Sequence, residues 1–399
     1  MSEWFLPESE RPWTSGNLVV PGLVDVHVHL RQPGREEAET IATGMRAAAA
    51  GGFTTICAMP NTTPAIDSPG LIEFVLAEAE KTPHPITVRP IAAVTRKREG
   101  KELTDFGELA EAGAVAFSDD GSPVADSYLM RKALEYAAWL KRPVVSHAED
   151  PELARGGVMH EGFVATVLGL QGIPASAETV MVARDIELAA ATGGHVHIAH
   201  VSTAGSVALI RSAKQRGIRV SCETCPHYIS LTDDAVRHYR TSAKMNPPLR
   251  TTPDQIALIE GLIDGAIDAI ATDHAPHTEW EKAAEFDQAP FGIIGLETAL
   301  GVIATHLIAT KKISWMRAIE LMSAKPAELF GLPGGVLAEG GPADVTIIDP
   351  DATWTVDAEH FASKSRNSPF IGHQLQSRVI TTIARGHVVY AGNGQQRPV

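Results

Sequence analysis

The chain has 399 residues, 44% hydrophobic and 21% charged, and a formal net charge of −14. It can hold one large domain and a smaller one, while its acidity and lack of a basic block exclude a nucleic-acid or anionic-membrane partner. Three cysteines, Cys57, Cys222 and Cys225, are too few for a disulfide framework, and no run is apolar enough to span a membrane.

The start, MSEWFLPESERPW, lacks the basic and apolar regions of a secretory signal, so the cytoplasm is the expected compartment. The first predicted strand is LVDVHVH, closed by the turn RQPG. Residues two apart in a strand share a face, which sets His27 beside His29 as two ligands or as two polar residues on an edge. Then come FTTICAM, ITVRPIAAV, AVAFSDD, PVVSHAE, HVHIAHVS, RVSCETC and DAIATDHA, all β-rich and apolar. Between them lie Ala-, Leu- and Glu-rich stretches such as EEAETIATGMRAAAAGG and AETVMVARDIELAAATGG, ending in glycine as helices do.

Eight strand–helix alternations over about 250 residues match a (β/α)8 barrel, an α/β fold of the TIM-barrel type. No glycine-rich phosphate loop supports a doubly wound sheet instead. The expected division is a barrel over 21–334 and a small accessory β domain from 1–20 plus 335–399, its N-terminal part shortened. The later segments ADVTIIDPDATWTV and VITTIARGHVVYAG alternate like antiparallel strands.

Barrel enzymes carry their chemistry at the C-terminal ends of strands. Those positions here hold His27 and His29, Asp119-Asp120, His147, His200, and Asp273-His274 followed by His277. Singly, each reads as an ordinary hydrogen-bonded residue or a turn. Together they read as a metal centre, because the barrel brings distant strand ends to one mouth. Mixed imidazole and carboxylate donors suit zinc or a similar first-row ion. Their number exceeds what one catalytic zinc uses and suits two ions about 3.5–4 Å apart, joined by a carboxylate and a hydroxide. Asp273 is then a candidate general base and acid. An anionic substrate would need a local cation, a metal or an arginine, against the acidic field of the chain.

VDVHVH, VSHAED, HIAHVSTAGS and ATDHAPH resemble the metal-dependent amidohydrolase superfamily. Within it, PGLVDVHVHLRQPG, MPNTTPAID, FSDDGSPV, KMNPPLR and DQAPFGIIGLET are similar to dihydroorotases of the long bacterial type, from about Pro21 to the C-terminus. The resemblance implies reversible interconversion of L-dihydroorotate and N-carbamoyl-L-aspartate, in pyrimidine synthesis, with two zinc ions per chain. It assigns His27 and His29 to one metal, His147 and His200 to the second, Asp120 to the bridge, and Asp273 to the first metal and the proton. Arg31 and Asn61, helped by His277, would hold the substrate carboxylate. Asn246 and the backbone of Phe291 and Gly292 would touch the ring.

The segment from His277 to Gly292 reads as a mobile lid or a merely solvated loop. The fourth strand has no lysine to carboxylate, unlike many relatives. Gln32 replaces the usual acidic residue, and ETCPHY resembles the hydantoinase and allantoinase branch. Two other readings follow: a hydantoinase- or allantoinase-like hydrolase, or a silent scaffold for aspartate transcarbamoylase. The expected partners are a small anionic substrate, a second copy in a homodimer, and aspartate transcarbamoylase.

Overall fold

The described residues of the computed structural model are 16–392, residue 84 excepted. Strand β1 (Leu18–Pro21) leads into the first barrel strand, β2 (Leu23–Val28). Next come β3 (Phe53–Ala58), β4 (Thr87–Ala92), β5 (Ala116–Ser118) and β6 (Val144–Ser146). A two-stranded excursion, β7 (Met159–His160) with β8 (Gly172–Ile173), interrupts the series. It resumes with β9 (Val196–Ile198), β10 (Val220–Thr224) and β11 (Ala269–Ile270). The eight parallel strands lie in the order β2-β3-β4-β5-β6-β9-β10-β11. Val28 bridges His274 in the parallel sense, and the His29 amide donates to the His274 carbonyl at 2.9 Å, closing the barrel.

Parallel neighbours require long crossovers, here mostly helical, and the helices cover the outside of the strands. Every residue of β2, β3 and β5 is accordingly buried. Val24, Val26, Cys57, Ile91 and Val145 form an inner cluster with Phe330, and a larger cluster fills the layer beneath the helices. The first crossover helix runs Ile41–Ala50, later than the run from Glu36 suggests. Thr40 explains the difference: its side chain accepts the Thr43 amide and caps the helix. Glu39 stays outside the helix, buried against His274 Nε2 at 3.3 Å.

A second, antiparallel sheet has the order β1-β12-β13-β14, with β12 (Val345–Thr355), β13 (Gln374–Ala384) and β14 (His387–Ala391). It grips the first strand–helix unit through hydroxyls: Thr346 donates to the Gly52 carbonyl at 2.6 Å and Thr382 to that of Ala49 at 2.7 Å. The parts of the expected β domain in 1–15 and 393–399 lie outside the described residues. Among the described residues, no helix is long and apolar enough to cross a membrane.

Candidate active site

Five strands deliver the cluster at their C-terminal ends. β2 is irregular between Asp25 and Val28, and both His27 and His29 reach the mouth of the barrel. His29 Nε2 stands 3.1 Å from Asp273 Oδ1 and 3.5 Å from Asp120 Oδ2. His27 Nε2 is 3.4 Å from Asp120 Oδ2 and 3.6 Å from Asp273 Oδ1. On the far side, Asp120 Oδ1 lies 3.2 Å from His200 Nε2 and 3.5 Å from His147 Nδ1. Asp120 thus faces all four imidazoles. Asp119 turns away, accepting the Thr95 amide at 3.0 Å.

Two sets of donors gather within 4.8 Å of one another: His27, Asp120 and His200; and His27, His29 and Asp273. Their arrangement fits a cation. His27 Nε2 is buried without a hydrogen-bond partner. His147 Nδ1 and His200 Nε2 face each other at 2.9 Å, so a proton or a cation must separate their lone pairs. Burial opposes the charge on His27, but Asp120, Glu223 and Asp273 hold its pKa well above the ordinary value. Asp273 is likewise desolvated, yet His29 and His27 bring it down to about 2, so it is ionised at neutral pH. Arg31, His200 and Asp273 adopt positive φ, 60°, 35° and 48°. Such backbone costs roughly 1–3 kcal/mol at each non-glycine residue and marks sites where position matters more than stability.

Further residues orient the cluster. Glu223 Oε1 meets His27 Nδ1 at 3.0 Å and accepts the His200 amide at 3.0 Å, while its other oxygen contacts His197 Nε2. Asn61 Oδ1 lies 2.7 Å from His29 Nδ1, which leaves the amide nitrogen of Asn61 available. Glu149 accepts from Asn246 Nδ2 at 3.1 Å and lies 4.0 Å from His147 Nε2. Sequence reasoning missed Glu223 and Glu149 as site residues. Each had a signal: Glu223 is an acid inside the predicted strand RVSCETC, and Glu149 follows His147 by two positions.

Arg31 is buried two residues beyond His29. Its guanidinium donates to the Pro276 carbonyl at 2.9 Å and lies 3.3 Å from His277 Nε2. Neither partner is a carboxylate. Burial and the neighbouring Arg35 lower its pKa to about 10, which still leaves it charged. His277 Nε2 is also 2.8 Å from the Phe291 carbonyl, and burial and Arg31 keep this imidazole neutral. Asn246 Oδ1 is buried and has no hydrogen-bond partner. Gly292 is less available than its expected ring contact requires: its amide donates to the Lys244 carbonyl at 3.0 Å and its carbonyl accepts from Asn367 at 3.1 Å. At φ 129°, with His277 3.0 Å from where a Cβ would sit, this position requires glycine.

Cys222 and Cys225 are free and buried, and burial pushes both thiols above their ordinary pKa. A cavity of about 350 Å³ also lies between the helix starting at Ala299 and the antiparallel sheet, lined by Trp354, Ser377 and Arg378. None of the cluster residues lines it.

The family described as Dihydro-orotase-like matches residues 16–206. A dihydroorotase from Pelotomaculum thermopropionicum is 57% identical over 94% of this chain and 87% of its own length. One from Endomicrobium trichonymphae is 52% identical over 94% of this chain and 89% of its own length. Among solved structures, the L-hydantoinase (dihydropyrimidinase) from Arthrobacter aurescens superposes with a TM-score of 0.84 at 27% identity, covering 94% of this chain and 86% of that one.

Proposed function

The chain belongs to the dihydroorotase family, and from that premise we infer that it hydrolyses the cyclic amide of L-dihydroorotate reversibly to N-carbamoyl-L-aspartate. The observation that carries this substrate is Arg31, a buried guanidinium without a carboxylate partner in its hydrogen bonds, two residues from a metal-type cluster. A buried cation is costly unless an anion meets it, and the planar fork suits a substrate carboxylate.

In this reading His27, His29 and Asp273 would hold one zinc ion and His147 and His200 a second, with Asp120 as a ligand shared by the pair. Such ions acidify bound water and polarise a carbonyl. The chain's own residues do the rest. Asn61 orients His29 through its oxygen and turns its amide nitrogen toward the carboxylate held by Arg31. His277 lines the same seat. Asn246 Oδ1 accepts from a ring N–H, and the Phe291-Gly292 backbone borders the ring. Asp273 accepts the proton released by the attacking water and delivers it to the departing ring nitrogen. In the cyclisation direction it removes the proton from the carbamoyl nitrogen. The 277–292 segment excludes water over the ring.

The division into a barrel and a small β domain at 334/335 belongs to the same proposal. So does assembly as a homodimer or with aspartate transcarbamoylase, which light scattering of the chain alone and mixed with that enzyme would test. The second reading, a hydantoinase, is supported by ETCPHY and by the 27%-identical structural neighbour. Parallel spectrophotometric assays with dihydroorotate, hydantoin and allantoin decide between them. Turnover confined to dihydroorotate is expected, and a preference for a neutral ring overturns the assignment.

A further inference from the structure

Two buried lysines, Lys282 within the 277–292 segment and Lys244 packed against it, stand outside the metal cluster. Lys282 closes the short helix Glu279–Lys282, and its ammonium donates to the Lys244 carbonyl at 3.2 Å and to the Pro290 carbonyl at 2.8 Å. Lys244 reaches the opposite way, donating to the carbonyls of Phe286 at 2.6 Å and Asp287 at 3.1 Å beneath the rings of Phe286 and Phe291. The Lys244 carbonyl also takes the Gly292 amide. Backbone carbonyls, not carboxylates, hold both cations.

Burying two ammonium groups works against folding, and a methionine would fill the place of Lys282 without that cost. What Lys282 adds is direction. Two of its donors join the irregular segment that continues to Asn246 with the turn that continues to Phe291 and Gly292. We infer that Lys282 is a positioning residue that sets the spacing between Asn246 and the Phe291-Gly292 backbone, and with it the fit of the substrate ring. This rests on the dihydroorotase reading given above.

The test begins with wild-type kinetics on dihydroorotate. Absence of turnover there overturns the substrate assignment and the ring slot with it. With turnover established, Lys282→Met is expected to raise KM about tenfold while kcat falls by less than about threefold, at unchanged metal content. Lys282→Gln, whose amide can reach one of the two carbonyls, is expected to recover most of that loss, to about threefold above wild type. Should the methionine variant fail to fold, the glutamine variant decides alone. A wild-type KM in every variant that folds, or a fall in kcat at unchanged KM, overturns the positioning role while leaving the dihydroorotase reading in place.

Discussion

His27 and Glu223 stand 196 positions apart, yet the imidazole Nδ1 meets the carboxylate at 3.0 Å. Burial opposes charge on Glu223, but His197 and His27 hold its pKa well below the ordinary carboxylate range. The ionised group holds the proton on Nδ1, so the Nε2 lone pair faces the carboxylates of Asp120 and Asp273, an acceptor set suited to a cation. Glu223→Gln keeps the shape and loses the charge, and metal affinity is expected to fall roughly 10–100-fold. Chelator competition followed by metal analysis measures this, and wild-type affinity would remove Glu223 from that role.

Asp273→Asn separates proton transfer from ion binding. An asparagine keeps an oxygen toward His29 and cannot act as the base. Turnover is expected to drop by roughly 10²–10⁴-fold with metal content largely retained. Near-normal activity would show that the proton travels by another group.

Arg31→Ala removes the fork. Loss of a hydrogen bond to a charged group, about 1.5–3 kcal/mol, corresponds to roughly 10–100-fold weaker binding of a carboxylated substrate. Neutral hydantoin, if it binds at all, should be nearly unaffected. Equal losses on both would argue against carboxylate recognition.

Lys282 gives a pH signature. Burial and Lys244 lower its pKa from 10.5 to about 7. Between those values the unfolded chain binds more protons than the folded one, so stability rises with pH across that window. The penalty is complete below about pH 7, and each tenfold loss of proton affinity on folding contributes roughly 1.4 kcal/mol to it. The stability of wild type relative to Lys282→Met should therefore climb from about pH 7 to about pH 10.5, followed by urea denaturation at fixed temperature. A flat difference would show that the ammonium is not strained by burial.

The barrel was legible because eight apolar β-rich runs alternate with helical ones, and the strand ends carry the histidines. Glu223 was harder to read. It sits within RVSCETC, where the paired cysteines and a family variant draw attention first, and its partner is distant in the chain. Period-two patterning gives a residue's face but not which residue across the lumen it meets. Nothing in the sequence singles out Lys244 and Lys282: lysine is seldom buried, and the carbonyls of Phe286, Asp287 and Pro290 that hold them are in place only once the 286–290 turn has folded. Asp119 and Asp120 are adjacent in the chain, and only three-dimensional placement sends one to Thr95 and the other to the histidines.

The seam where the first and eighth barrel strands meet is sewn by the site's own atoms. The His29 amide binds the His274 carbonyl at 2.9 Å, Val28 bridges His274, and the Thr272 amide meets the Asp25 carboxyl at 3.2 Å. An ion gathering His29 and Asp273 would rivet that join. Stripping it should let amide protons along the seam exchange first, while the β4–β5–β6 wall stays protected. Durability and reactivity would then be properties of the same few residues.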